Sequence, residues 1–147
     1  MKSILYELYP DENINVVEEQ KLVERYDKIV FQFPVYWNSC PPLFKKWIDE
    51  VLIYGWAYGS ESGYKFANKK VALALTSSGT ELDYSSSGIF KYSLEEFVRP
   101  FEITFDWIKA DWKPFFAFFG APHITNENSL RKVEQLSKDY VLFVESL

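Results

Sequence analysis

Cysteine occurs once in these 147 residues, at Cys40, and histidine once, at His123. One cysteine excludes an internal disulfide and a cysteine-rich zinc site, and it fits a reducing, cytoplasmic setting. One histidine leaves little for a Ser-His-Asp device, and no G-x-S-x-G elbow accompanies it. His123 follows Gly120-Ala121-Pro122 and reads as a loop-surface or capping residue. No apolar run approaches the ~20 residues of a membrane span. Met1-Lys2-Ser3 leads straight into Ile4-Leu5-Tyr6-Glu7, without the apolar core of a signal peptide. Basic residues are not in excess: the net charge is −5 and the two signs are mixed along the chain. There is no basic stripe to follow a phosphate backbone, so nucleic acid is not an expected partner. Repeats, linkers and low-complexity tracts are also lacking, and residues 1–147 read as a single domain.

What the chain has in plenty is aromatic side chains, 19% of the residues. Most belong to a Phe-rich core; some supply a surface on which a flat ligand can stack. Four runs predict strands: Ile4–Tyr9, Lys28–Phe33, Val71–Leu75 and Pro114–Phe119. The continuous apolarity of Lys28–Phe33 predicts burial on both faces. Between them, Val16–Val23 reads as a short acidic helix. Pro42 opens a second helix, with Leu43, Phe44, Trp47, Ile48, Val51 and Leu52 at helical spacing. Ser93-Leu94-Glu95-Glu96 is a capping box, so a third helix starts at Leu94; Pro100 kinks or restarts it before Trp112. Thr125 or Asn126 caps a last helix carrying Leu130, Val133, Leu136, Tyr140 and Val144 on one side. Alternating strands and helices predict an α/β fold with a parallel sheet and right-handed crossovers.

In such a sheet two loops share the carboxyl edge, where open α/β folds bind ligands. Pro34, Val35, Tyr36, Trp37 and Asn38 follow one strand; Thr76, Ser77, Ser78 and Gly79, and then Tyr84, follow the next. The first loop offers an apolar wall and backbone amides. The second offers small side chains that permit close approach. These parts suit a planar heteroaromatic ring such as a flavin, although ordinary turns have the same composition. Cys40 precedes Pro41-Pro42 at a helix start, where thiol pKa values fall. Lacking a resolving cysteine or a base partner, it reads as a packing residue. The pairs Asp49-Glu50 and Glu95-Glu96 read as solvated helix faces.

The run from Gln32 to Leu43 (QFPVYWNSCPPL), with Lys46-Trp47-Ile48-Asp49 after it, resembles the signature of the flavodoxin-like NAD(P)H:quinone oxidoreductases. That family includes bacterial quinone reductases, ancillary proteins of potassium-efflux systems and animal quinone dehydrogenases. The likeness continues through Gly55-Trp56-Ala57-Tyr58-Gly59, Leu75-Thr76-Ser77-Ser78-Gly79, Arg99-Pro100-Phe101 and Trp112-Lys113-Pro114-Phe115. It implies that Pro34 to Asn38 and Thr76 to Gly79 contact a flavin, FMN or FAD. Tyr84 falls where animal members carry a tyrosine that assists hydride transfer. The implied reaction is ping-pong: NAD(P)H gives a hydride to the flavin and leaves, and a quinone then takes two electrons. By the same likeness, a membrane transport protein is a possible partner.

This sequence departs from the family in two places. Phe90 stands where animal members have a histidine six residues after the tyrosine. The chain also starts at the family's second strand, equated with Ile4–Tyr9, which implies a fold truncated by its first strand and phosphate-binding loop. A flavodoxin-like sheet runs 2-1-3-4-5. Without the first strand the order is monotone, and right-handed crossovers put the connecting helices on one face. The uncovered apolar face predicts a homodimer or another partner. Losing charge-assisted hydrogen bonds of ~1.5–3 kcal/mol each weakens flavin binding. The alternative expectation is therefore a non-catalytic regulatory or interaction subunit of the same fold.

Overall fold

The computed structural model describes residues 2–60, 63–121 and 127–147. His123, and Thr125 or Asn126 as a helix cap, lie outside the described residues. The elements run α1 (Leu5–Leu8), α2 (Val16–Glu24), β1 (Lys28–Pro34), α3 (Pro42–Val51), β2 (Lys70–Thr76), α4 (Leu94–Trp107), β3 (Asp111–Trp112), β4 (Phe116–Phe118) and α5 (Glu127–Ser146). The sheet is parallel. β1 pairs with β2 along its length, from Lys28 opposite Lys70 to Pro34 opposite Thr76. On the other side of β2, β3 pairs at its start and β4 at its end. β3 and β4 thus fill one sheet position, and Pro114, which has no N–H to donate, lies in the gap between them.

Helices α3 and α4 stand on one face of the sheet. Phe31 and Phe33 point from β1 into that layer, against Phe44 and Trp47 of α3 and Phe101 and Phe105 of α4, with ring centroids 4.8–5.6 Å apart. Val71, Leu73 and Leu75 of β2 enter the same core. Each fully buried large apolar side chain contributes about 1.5–3 kcal/mol here. α5 lies across the opposite face, where Tyr140 and Phe143 meet Phe116 and the Tyr140 hydroxyl donates to Gln32 Oε1 at 3.2 Å.

The helix signals in the sequence have clear structural counterparts. Pro42 sits in the first turn of α3. At α4, Ser93 Oγ accepts from the Glu96 N–H and Glu96 returns a carboxylate to the Ser93 N–H. Pro100 neither ends nor restarts α4, which runs through it.

Two expectations need correction. Ile4–Tyr9 is not a strand: Leu5–Leu8 form one helical turn. No described strand pairs with β1 on its other side, and α1 instead packs beside α3. Leu5 rests on the core, and the Tyr9 hydroxyl donates to Glu19 at 2.8 Å. The second correction concerns β1, which is not buried on both faces. Phe33 is buried, but Lys28, Gln32 and Pro34 on the α5 side are exposed, because α5 covers that face only in part. β2 is the doubly covered strand, buried from Val71 through Leu75.

Candidate functional site

The last pair of the β1–β2 ladder is Pro34 opposite Thr76, and the Val35 N–H donates to Thr76 O at 2.8 Å. The two loops therefore leave the sheet at one level, on the carboxyl edge. In the first, Tyr36 and Ser39 exchange backbone hydrogen bonds of 3.2 and 2.8 Å. Trp37 and Asn38 between them have φ of 46° and 59°. Two consecutive left-handed residues make a tight reversed turn. Asn tolerates that conformation, whereas for Trp it costs roughly 1–2 kcal/mol. The turn drives the Trp37 indole outward, 96% exposed. The N–H groups of Trp37 and Asn38 have no hydrogen-bond acceptor among the described residues. Val35 packs inward on the core, and Pro34 is exposed. Cys40 is buried at the base of the loop, and burial pushes its thiol pKa up, as suits a packing residue.

The second loop is tied down more tightly. The Ser77 N–H donates to Phe118 O at 2.8 Å, the Ala121 N–H to Ser77 O at 2.9 Å, and the Gly120 N–H to Gly79 O at 2.9 Å. Ser77 Oγ accepts from the Gly79 N–H at 3.0 Å and lies 2.9 Å from the Tyr84 hydroxyl. Thr76 is half-buried, Ser78 exposed, and Gly79 buried beneath Phe90 and Tyr84. A Cβ at Gly79 would lie 2.9 Å from Phe90 Cε2 and 3.0 Å from Tyr84 Cε2, so the loop needs glycine for lack of room. Beyond it, Asp83 accepts from the Thr80 N–H and hydroxyl at 2.7 and 2.8 Å; these bonds hold its carboxyl below the usual pKa.

Tyr84 is buried, 7% exposed, with its ring among Phe90, Phe97 and Phe119 at 4.6, 5.6 and 5.7 Å. Its hydroxyl meets Ser77 under the loop. A narrow cavity below the first loop is lined by Val35, Asn38, Ser39 and Leu75, and by Leu94, Phe97, Val98 and Phe101 from α4. The sequence alone does not assign α4 to this edge; the capping box fixing its start is the available signal. Among the described residues, no group of three His, Cys, Asp or Glu side chains could hold a metal ion.

The edge offers an apolar wall, unpaired amides and buried hydroxyls. Neither Pro34–Asn38 nor Thr76–Gly79 includes a lysine or arginine. This chemistry fits the uncharged ring of a flavin better than its phosphate. An open parallel α/β sheet with helices on its faces and two loops meeting at its carboxyl edge defines the class.

Within that class the chain belongs to a defined family: residues 2–140 match Flavodoxin_2, described as a flavodoxin-like fold. General stress protein 14 of Bacillus subtilis (strain 168) is 42% identical over 134 residues, covering 91% of this chain and 76% of that protein. The uncharacterized NAD(P)H oxidoreductase YrkL of the same organism is 39% identical, covering 90% and 75%. The potassium-efflux ancillary protein KefF of Enterobacter sp. (strain 638) is 40% identical over 113 residues, 77% of this chain and 62% of that one. Among solved structures, general stress protein 14 of Treponema denticola in complex with FMN superposes with a TM-score of 0.90 at 42% identity, covering 97% of this chain and 78% of that one. An NADPH-quinone reductase from P. pentosaceus gives 0.75 at 26% identity, covering 85% and 73%.

Proposed function

We propose that this chain is an FMN-dependent oxidoreductase that takes a hydride from NAD(P)H and passes two electrons to a quinone. The observation that carries the reading is the registered pair of loops, joined by the Val35–Thr76 hydrogen bond at one sheet edge. Likeness to a protein solved with FMN, and to proteins named as NAD(P)H oxidoreductase and quinone reductase, supports it. FMN is favoured over FAD on the same ground.

In this reading Pro34, Val35 and Tyr36 form the wall for the ring, and Trp37 and Asn38 offer it their N–H groups. Thr76, Ser77, Ser78 and Gly79 line its polar edge. Bound there, the flavin supplies a two-electron carrier. The balance is NAD(P)H plus a proton plus quinone giving NAD(P)⁺ plus quinol. The chain's share is to orient the ring and exclude water. The assembly proposed is a cytoplasmic homodimer, supported by exposed apolar residues such as Ile103 and Trp107, one turn apart on α4. Among the described residues, no helix is long and apolar enough to cross a membrane.

The test is titration of purified protein with FMN and with FAD, followed by menadione-dependent oxidation of NADH and NADPH. Tight FMN binding with turnover is expected; protein that takes up neither flavin contradicts the reading. The likeness to KefF favours a second reading, an ancillary subunit acting on a membrane transport protein. That reading predicts a folded protein without turnover, and quinone-dependent oxidation overturns it.

A further inference from the structure

We propose that Tyr84 is a positioning residue that works through Ser77, on the premise that the loop after β2 holds the flavin. Ser77 is 4% and Tyr84 7% exposed, and their oxygens lie 2.9 Å apart. The Gly79 N–H occupies one lone pair of Ser77 Oγ at 3.0 Å. Two hydroxyls bring two O–H protons, and the bond between them consumes one. Whichever oxygen donates, one O–H is left over. No second acceptor for it lies within hydrogen-bond distance among the described residues. A buried hydroxyl proton without an acceptor is uncommon in a folded protein, and at a ligand-binding edge it points to an acceptor atom on the ligand.

The surroundings explain why the work is divided between two residues. The Tyr84 ring is gripped by Phe90, Phe97 and Phe119, so its hydroxyl has a fixed position. A serine hydroxyl rotates freely unless a neighbour holds it. Tyr84 thus fixes the Ser77 rotor, and Ser77 both caps the Gly79 amide and offers the remaining O–H to an acceptor on the flavin ring. Phe90 has no titrating group, so the pair orients a hydrogen bond without a histidine relay.

The experiment compares wild type, Tyr84→Phe, Ser77→Ala and the double variant in two measurements. The first is amide hydrogen exchange in flavin-free protein. Gly79 is expected to exchange about fivefold faster in both single variants, with a core amide such as Leu73 unchanged. Unchanged Gly79 in Tyr84→Phe, or equal acceleration at Leu73, overturns the proposal. The second measurement is the FMN dissociation constant. Each single variant is expected to weaken binding about fivefold, the equivalent of about 1 kcal/mol, and the double variant no more than Ser77→Ala alone. Losses that multiply to about 25-fold would show independent roles and overturn it. Wild-type protein that binds no flavin refutes the functional reading and the ligand half of this proposal, while the exchange measurement still decides the positioning half.

Discussion

Glu19 is a carboxylate buried to 6% exposure, with no cation on it among the described residues. Its Oε2 accepts from Trp47 Nε1 and its Oε1 from the Tyr9 hydroxyl, both at 2.8 Å. Replacing Glu19 by Leu sets two effects against each other. Removing a desolvated charge favours the variant, as when buried ionic groups are replaced by apolar ones. Against this, the Trp47 N–H loses its acceptor in a site only 2% exposed. An unsatisfied buried donor costs about 1–3 kcal/mol, and the two charge-assisted bonds contribute about 1.5–3 each. Both partners are neutral donors that a Leu cannot satisfy, so the loss wins, by about 3 kcal/mol. In a domain of this size that lowers Tm by about 6–12 °C. The assay is thermal unfolding of Glu19→Leu, Trp47→Phe and the double variant. Once Trp47 has no N–H, the Glu19 substitution should cost markedly less. A Glu19→Leu protein that melts at or above wild type would show the opposite balance, with relief of the buried charge outweighing the lost hydrogen bonds.

Phe105 has no exposure and is ringed by Phe31, Phe66 and Trp112; Phe105→Ala should lose about 3–5 kcal/mol, read from urea midpoints. Tyr9 has its pKa raised to about 12, by burial first and then by its bond to Glu19. A raised phenol favours the folded state fully below pH ~10, and that contribution is lost as pH rises toward 12. Melting curves of wild type should therefore fall more steeply over that range than those of Tyr9→Phe, and parallel curves would count against it. Trp37→Gly relieves the left-handed strain and leaves no cavity, so Tm should hold steady or rise by up to a few degrees.

The middle of the molecule was legible because its signals are local. Lys28–Phe33 and Val71–Leu75 are apolar runs with breakers, Pro42 starts a helix, and the Ser93–Glu96 box starts another. Each cue acts within a few residues, so the tertiary structure had only to agree with it. The misreadings fall where neighbours decide. Leu5 and Leu8 suit a helical turn as well as a strand, and among the described residues no strand pairs with β1 on the side away from β2, whereas Leu5 finds the core as part of a turn. The two-sided burial expected of β1 depended on what covers its α5 side. Pro100 is tolerated inside α4, whose capped start and buried Val98, Phe101 and Phe105 hold the helix on the core. At the site, both loops could be placed from the chain alone. The Ser77–Tyr84 bond could not, because it depends on how the loop between them folds over Phe90.

In the proposed function, the edge formed by Val35–Asn38 and Thr76–Gly79 binds FMN. The most direct test is fluorescence titration of the purified chain with FMN, with the bound protein then mixed with NADPH. Saturable quenching with one FMN per chain is expected, followed by bleaching of the flavin absorbance and its return when a quinone is added. Protein that leaves FMN fluorescence unchanged at every concentration would contradict it.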